Sequence, residues 1–157
     1  MRGWKAYGVA VLLAALMVGC DSGSDDDLSE TELFVGTWTV ASVRDDEGDK
    51  TPVVNALGTM SATFESGGAF ELTFDAAQQG VPDQTASGTY TVNEALNVIM
   101  LNATVQGTTF PVPVEFTFEG EDRVTLSIPE LAVDVVASQI AAFGALEGEV
   151  SLTLARD

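Results

Sequence analysis

The side chains that could do chemistry in this sequence are almost all carboxylates. Its 157 residues include 24 aspartates and glutamates, one cysteine (Cys20) and no histidine. Without histidine, the sequence lacks the usual general base near neutral pH and the commonest metal ligand. Ser-His-Asp and Cys-His arrangements are therefore excluded. A carboxylate pair of the glycosidase type is the enzymatic alternative that stays open.

The densest group of carboxylates is Asp45-Asp46-Glu47-Gly48-Asp49. Its spacing differs from the calcium loop of an EF-hand, which alternates oxygen ligands and has a glutamate further on. The pattern favours a solvated loop over a weak calcium site. Most other carboxylates fall at predicted turns or on outward strand positions, where solvated charge is the ordinary state. We therefore expect a protein that is not an enzyme and that needs no cofactor or metal.

The first twenty residues predict an export signal that ends at the cysteine. Arg2 and Lys5 make a basic head, an apolar run covers residues 9–18, and the small residue Gly19 precedes Cys20. A charged start, an apolar centre of this kind and a small residue before the cut are typical of signal peptides. The run is too short for a comfortable membrane-spanning helix.

The end of this signal, Leu16-Met17-Val18-Gly19-Cys20, resembles the lipobox of bacterial lipoproteins. That family usually has leucine where this chain has Met17. The resemblance implies that residues 1–19 are removed and that Cys20 becomes an N-terminus carrying acyl chains such as palmitate. Those chains would anchor the protein in a membrane. The alternative is cleavage elsewhere, with a free thiol left at Cys20.

The charge of the chain excludes one large class of partners. Removal of residues 1–19 leaves 24 acidic residues against four basic ones, a net charge of −20; the basic residues are Arg44, Lys50, Arg123 and Arg156. Such a chain would repel nucleic acid and anionic lipid head groups, so attachment has to come from acyl chains. The composition resembles proteins of salt-loving (halophilic) bacteria, where ionic strength screens the repulsion. A cation-binding surface is the alternative.

Residues 20–32 predict a flexible, lipidated tether ahead of the folded domain. The segment 21–32, DSGSDDDLSETE, contains a single leucine, so it cannot bury enough apolar surface to order itself. An acidic run this close to the lipidated cysteine resembles the surface-export signal of some Bacteroidota lipoproteins, and a plain spacer is the alternative. We expect an extracytoplasmic protein of the bacterial cell envelope, at the outer membrane or cell surface rather than the inner membrane.

From residue 34 onward, apolar residues recur with a period of two, which predicts strands. The clearest run covers residues 110–118 and contains Pro111 and Pro113. Because proline cannot donate a ladder hydrogen bond, this part of the strand should lie at a sheet edge or beyond regular pairing. Comparable runs cover residues 34–44, 60–64, 70–74, 85–92, 97–106, 124–128 and 150–154.

Turn chemistry between these runs predicts how the strands connect. Ser66-Gly67-Gly68 and Glu119-Gly120-Glu121-Asp122 are each typical of a hairpin. About eight strands at this spacing indicate an all-β fold, an antiparallel up-and-down barrel, with a sandwich as the alternative. There is no convincing internal repeat, so residues 33–157 are expected to form one domain.

One short helix is predicted before the last strand. Ser127-Ile128-Pro129-Glu130 fits a capping box. Apolar residues then recur at helical spacing from Val133 to Phe143, and Gly144 or Gly148 would end the helix. The alternation within residues 131–146 would also suit a strand, so a helix is preferred and a strand stays open as the alternative.

The segment Gly36-Thr37-Trp38-Thr39-Val40 resembles the opening strand of lipocalin-like domains. That family forms an up-and-down barrel closed at one end, with a tryptophan packed at the base under an arginine from a late strand. The resemblance covers residues 33–157. It implies a structural role at the base for Gly36 and Trp38, with Arg123 or Arg156 as the covering arginine.

Two functions follow from these expectations. The first is non-enzymatic binding of a small lipophilic ligand inside the barrel. Its candidate lining residues are the inward aromatics Phe64, Phe70, Phe74, Tyr90, Phe110, Phe116 and Phe118. The second is a structural or protein-interaction role in the envelope, with a packed core, no ligand and a partner that the sequence does not identify. A carboxylate enzyme ranks third, because no two inward carboxylates can be paired on the predicted strands.

Overall fold

The computed structural model describes residues 28–79, 82–105 and 108–156. The predicted signal peptide and most of the predicted tether lie outside these residues. The strands are β1 (Gly36–Asp45), β2 (Gly48–Asp49), β3 (Gly58–Phe64), β4 (Ala69–Ala76), β5 (Gln84–Asn93), β6 (Val98–Val105), β7 (Thr108–Phe118), β8 (Arg123–Ile128) and β9 (Val150–Arg156). The helices are α1 (Glu30–Phe34), α2 (Thr51–Leu57) and α3 (Glu130–Ala137), and the 3₁₀ helix Ala141–Ala145 follows α3.

The strands form one sheet that closes on itself. Neighbours run in the order β2-β1-β3-β4-β5-β6-β7-β8-β9, and β1 also pairs with β9. Every pairing is antiparallel. Eight strands therefore make an up-and-down barrel, and the two-residue β2 is an extra strand on the end of β1. The predicted barrel is confirmed, and a single closed sheet replaces the sandwich alternative.

Side-chain alternation along each strand fills the barrel. In β7, for example, Val112, Val114 and Phe116 are buried while the residues between them are exposed. The same pattern runs through β3, β8 and β9. Among the described residues, no polar or charged residue is fully buried. The period of two in the sequence therefore arises because alternate side chains point to the inner and outer faces of the barrel wall.

The two predicted hairpins lie where the turn residues indicate. Residues 65–68 join β3 to β4, with Gly68 at a φ of +80° and a hydrogen bond from Glu65 N to Ala69 O of 2.8 Å. Residues 119–122 join β7 to β8, with Gly120 at a φ of +75°. Since glycine adopts a positive φ at little cost, the glycine in each turn suits the backbone conformation that the turn requires.

The prolines of β7 lie in the half of that strand that has a neighbour on one side. Pro111 pairs with Asn102 and Pro113 with Met100, both on β6. On its other side, β7 pairs with β8 only from Glu115 to Phe118. Proline has no N–H to donate, and at both positions β7 lacks a neighbouring strand on one side. This agrees with the edge position predicted from proline chemistry.

The folded part begins earlier than the predicted tether allows. Ser29 caps α1 in a reciprocal capping box with Glu32, and hydrogen bonds from Ser29 hold the pKa of the Glu32 carboxyl below its ordinary value. At the other end of α1, Phe34 is fully buried. Glu30 to Glu32 are thus helical rather than part of a flexible segment, and the first strand begins at Gly36 instead of Phe34.

The helix before the last strand is present, but its predicted ends are wrong. Ser127 belongs to β8 and pairs with Ser151, so it does not cap α3; Pro129 is the N-cap and makes no side-chain cap hydrogen bond. The helix ends at Ala137, with Ser138 as its C-cap, rather than at Gly144 or Gly148. The apolar spacing continues beyond α3 because Ile140, the N-cap of the following 3₁₀ helix, and Phe143, within that helix, are both buried.

Within the described ranges, no helix combines the length and apolar character needed to cross a bilayer.

Candidate functional site

One end of the barrel, called the base here, is the end at which β1 begins and β9 finishes, next to α1. Trp38 is fully buried there, and its indole Nε1 donates a 2.8 Å hydrogen bond to Phe34 O. The guanidinium carbon of Arg156 lies 4.7 Å from the centroid of the Trp38 ring. Arg156 also donates to Leu33 O. The final carbonyls of α1 therefore accept hydrogen bonds from both members of this pair.

Strand register brings Arg156, rather than Arg123, to the tryptophan. Trp38 and Arg156 are direct partners in the pairing of β1 with β9. Arg123, at the start of β8, pairs with Ala155 and is exposed. Of the two candidate arginines, Arg156 is the one that covers the indole.

Gly36 contributes to the base through its backbone conformation. Its φ is +137°, and a Cβ placed there would meet no atom within 4 Å. Glycine is favoured because the chain turns sharply from α1 into β1 in a conformation that other residues rarely adopt.

An aromatic cluster around Phe34 plugs the base. The Phe34 ring lies 5.4 Å from Phe64, 5.0 Å from Phe116 and 5.0 Å from Phe118, measured between ring centroids. The contact with Phe116 is edge to face, at 87°. Such tilted and edge contacts are favourable for aromatic pairs. Phe116 and Phe118, two of the candidate ligand-lining residues, therefore belong to the plug.

A small cavity of about 60 Å³ lies between the base plug and the opposite end of the barrel. The described residues that line it are all apolar: Ala62, Phe64, Phe70, Leu72, Ala86, Leu101, Ala103, Val112, Val114, Leu126, Ile128, Val136, Phe143, Leu152 and Leu154. Of the seven candidate lining residues, Phe64 and Phe70 are in this wall.

The remaining candidate aromatics lie elsewhere. Phe74 lines a separate pocket of about 180 Å³ near α2. Tyr90 is packed edge to face on Phe64 and its hydroxyl donates to Glu65 O at 2.9 Å, and burial raises the pKa of this hydroxyl. Phe110 shares the inward phase of Val112 but is 39% exposed, so it lies at the far end of the wall.

The roof of the cavity comes from the segment Glu130–Ala145, which we call the lid. It comprises α3, a three-residue link and the 3₁₀ helix, and it connects β8 to β9. Val136 and Phe143 of the lid line the cavity, and the side chains of Val133 and Ile140, also in the lid, are buried. The sequence indicates a helix here but contains no signal that would place it over the barrel.

The acidic cluster at the end of β1 forms a tightly bonded turn. Asp45 Oδ1 accepts from Glu47 N and Gly48 N, Asp45 Oδ2 accepts from Glu147 N at 3.1 Å, and Lys50 Nζ lies 3.6 Å from Asp45 Oδ2. Burial opposes ionisation of Asp45, but these N–H groups and the Lys50 ammonium hold its pKa below its ordinary value. The carboxylate thus stabilises a turn through backbone donors.

Across residues 28–79, 82–105 and 108–156, no three acidic or cysteine side chains are grouped so as to hold a metal ion. A groove of about 450 Å³ does gather five carboxylates near the lid, those of Asp46, Glu47, Glu130, Asp134 and Glu147. These groups lie on the outside of the barrel and do not reach its interior. None of the described residues that line the cavity is titratable.

Comparison with known proteins gives no family assignment. No protein-family model matches the chain, and no curated protein matches it. Among solved structures, the chain is similar to a redesigned β-barrel, with 12% identity and a TM-score of 0.47, covering 81% of this chain and 94% of that one.

Proposed function

We propose that this protein is a membrane-anchored, extracytoplasmic lipoprotein that binds a small lipophilic ligand in its barrel without catalysis. The observation that carries the proposal is the wall of the cavity, where fifteen side chains contribute only hydrocarbon surface. Such a site favours apolar ligands, because the apolar surfaces of both the ligand and the cavity wall are then kept from water.

The chemistry of the wall restricts the ligand. A polar atom brought into this cavity would find no hydrogen-bond partner among the lining side chains, and burying it would cost several kcal/mol by the usual transfer estimates, roughly 2–7. The part of the ligand inside must therefore be hydrocarbon. Since pockets for drug-sized ligands usually measure about 300–1,000 Å³, a cavity of about 60 Å³ suits a very small molecule or the end of a slender alkyl chain.

The anchor in this proposal is Cys20, acylated after removal of residues 1–19. Seven residues separate Cys20 from Leu28, where the described residues begin, so the domain would stay close to the membrane. With a net charge of −20 on the cleaved chain, electrostatic attraction to anionic lipids cannot supply the attachment. An envelope location, at the outer membrane or cell surface, follows from the lipobox and the acidic tether.

A second candidate function is a structural or protein-interaction lipoprotein with a packed core and no ligand. The size of the cavity favours it, because about 60 Å³ is well below the usual volume of a ligand pocket. Both ends of the barrel are also occupied, one by the Phe34 cluster and the other by the lid. The two functions differ in whether an apolar compound stabilises the fold.

Thermal unfolding with a series of n-alkanols from hexanol to dodecanol separates the two. The protein should be the mature chain from residue 20 with Cys20→Ser, which lacks both the acyl chains and the apolar signal segment, so that no detergent is needed to keep it in solution. A ligand at one hundred times its dissociation constant adds about 2.7 kcal/mol of stability, so ligand binding predicts a saturable rise in the midpoint that depends on chain length. Ala86→Leu, which fills the cavity, should abolish the rise.

The control is Ala95→Leu, which adds the same side chain to an exposed turn. It should respond to alkanols as the parent protein does. If no alkanol raises the midpoint of the parent protein, the ligand-binding proposal is wrong and the packed-core function is favoured.

A further inference from the structure

The lid and α2 both cover the end of the barrel opposite the base, but they are attached in different ways. The start of α2 is held to β1 by main-chain groups and one short hydroxyl: Lys50 N donates to Val43 O at 2.9 Å, and Val43 N donates to Thr51 Oγ1 at 2.9 Å. Its far end is held by a bond from Ala77 N to Leu57 O of 2.8 Å. These bonds use short groups with little freedom, so α2 is a fixed part of the end.

The lid is attached to the strands through two glutamine side chains. Gln139 Nε2 donates to Thr104 O of β6 at 3.1 Å, and Ala141 N donates to Gln84 Oε1 of β5 at 2.6 Å. In the part of the chain that the structure describes, these are the hydrogen bonds that join the lid to barrel strands. Both are exposed to water, which competes for such groups and lowers their net contribution.

The two ends of the lid are fixed more firmly than its middle. At the C-terminal end, Glu147 O accepts from Asp46 N at 3.4 Å and Glu147 N donates to Asp45 Oδ2 at 3.1 Å. The next residue, Gly148, has a φ of +70°, and a Cβ there would lie 2.0 Å from Asp46 Oδ2. At the N-terminal end, Pro129 precedes the lid, is the N-cap of α3 and directly follows β8. The middle is attached by two exposed hydrogen bonds and by the apolar packing of side chains such as Ile140 and Phe143, so it is the part that we expect to lift.

We propose that the lid is a flap over the cavity, that Gln84 and Gln139 are its latch, and that lifting it admits the apolar ligand. The inference rests on the proposed function, since it concerns access to the same cavity. The latch joins the lid to β5 and β6, so the opening lies on the side of those strands. There the inward Phe110, which pairs with Ala103 of the cavity wall, already exposes apolar surface to solvent.

Xenon is the probe for this proposal, because a single apolar atom suits a small dry cavity. Exchange of xenon-129 between water and the cavity can be followed by NMR in the mature chain from residue 20 carrying Cys20→Ser. Losing both latch bonds in Gln84→Ala/Gln139→Ala should speed exchange about tenfold, as expected for two solvent-exposed hydrogen bonds. Hydrogen exchange of lid amides should rise by a similar factor, while amides of α2 and the strands keep their rates.

Matched variants separate the latch from general loosening. Gln84→Glu keeps an acceptor for Ala141 N and should exchange xenon at the parent rate. Gln139→Glu adds the same charge but loses the donor to Thr104 O, so it should behave like Gln139→Ala. Gln79→Ala, an exposed glutamine outside the lid and outside the pocket that Gln84 and Ala141 line, is the control for loss of a glutamine and should change nothing.

Each outcome decides one of the two ideas. If xenon binds the parent protein and the latch variants exchange it at the parent rate, the latch is wrong while the cavity stands. If xenon does not bind and Ala86→Leu gives the same spectrum, the ligand-binding function fails. The lid amides then decide the flap alone: faster exchange in the double variant supports it, and unchanged exchange overturns it.

Discussion

Arg156 and Trp38 face each other across the seam that closes the barrel, as direct partners in the pairing of β9 with β1. The guanidinium lies over the indole and also donates to Leu33 O, while the indole donates to Phe34 O. The last strand, the first strand and the N-terminal helix are therefore joined at one point. This point is where closure of the sheet and plugging of the base depend on the same side chains.

Replacing Trp38 with alanine should strongly destabilise the fold. The indole is fully buried and its loss would leave a cavity beside Phe118 and remove the hydrogen bond to α1. Buried tryptophans replaced by alanine typically cost about 3–5 kcal/mol. Urea unfolding followed by circular dichroism measures this, since the variant lacks the fluorescence of Trp38. An unchanged midpoint would show that Trp38 is peripheral to the core.

Replacing Arg156 with alanine should destabilise the fold less than loss of the tryptophan does. A cation over an aromatic ring contributes about 0.5–2 kcal/mol, and a charged hydrogen bond to Leu33 O adds about 1.5–3 kcal/mol. We expect a total loss of about 1–3 kcal/mol, because Arg156 is partly exposed. Arg123→Ala removes the same charge from an exposed site and should stay within about 0.5 kcal/mol of the parent protein. Equal losses in the two variants would contradict the assignment.

The barrel could be predicted from the sequence because alternation and turn chemistry are local signals. The choice between Arg123 and Arg156 could not, because it depends on register across the seam, and β1 shifts its register against β9 between Val40 and Ser42. The structure of α1 was missed because its acidic, serine-rich surroundings resemble a spacer. A signal was nevertheless present, since Ser29 and Glu32 have the spacing of a capping box.

The candidate site was harder to predict than the fold. Inward aromatics could be identified by their phase along the strands, but phase does not say at which height in the barrel a side chain lies. Phe116 therefore joins the base plug, Phe70 lines the cavity and Phe110 reaches solvent. The position of the lid depends on packing between distant segments, which no local pattern encodes.

Asp45→Asn should lower stability near pH 7 and lose its effect in acid. The folded state holds the pKa of Asp45 below its ordinary value near 3.8. A carboxyl with a lowered folded pKa contributes stability above its unfolded pKa, and this stability is lost as the pH falls through the folded value. The melting temperatures of parent and variant should therefore begin to converge below about pH 4 and should meet only once the pH is below the lowered pKa of Asp45 in the folded state. Glu121→Gln, an exposed turn residue, is the control, and a difference that is the same at pH 7 and pH 3 would contradict the prediction.

The mature N-terminus should be an acylated Cys20. Mass spectrometry of the protein from its native envelope should give an N-terminal peptide that starts at residue 20 and carries fatty acyl mass. Cys20→Ser should carry no fatty acyl mass, and Ser22→Cys in the same background should not restore it, since only the residue after Gly19 fits the lipobox. An unmodified soluble product cut at another position would refute this prediction.

Stability should rise with sodium chloride, and the carboxylates at the lid should account for much of the rise. The outer wall carries neutral rows such as Thr39, Ser61, Thr73 and Thr85, which are neighbours on four adjacent strands. Near the lid, Glu130 and Asp134 lie one turn apart on α3 and border the acidic groove. Like charges at this spacing repel, and salt shortens the screening length from about 10 Å at 0.1 M to about 3 Å at 1 M.

The test compares two variants that remove the same number of charges. Glu130→Gln/Asp134→Asn should raise the melting temperature at 0.1 M chloride and flatten its climb toward 1 M. Glu71→Gln/Glu115→Gln takes its two charges from separate strands of the wall and should keep most of the parent's salt dependence. Because chloride strengthens hydrophobic burial less than sulfate does, the difference between the variants reports on repulsion. Identical salt slopes in both would mean that the charge acts through the whole molecule and that the lid groove has no special share.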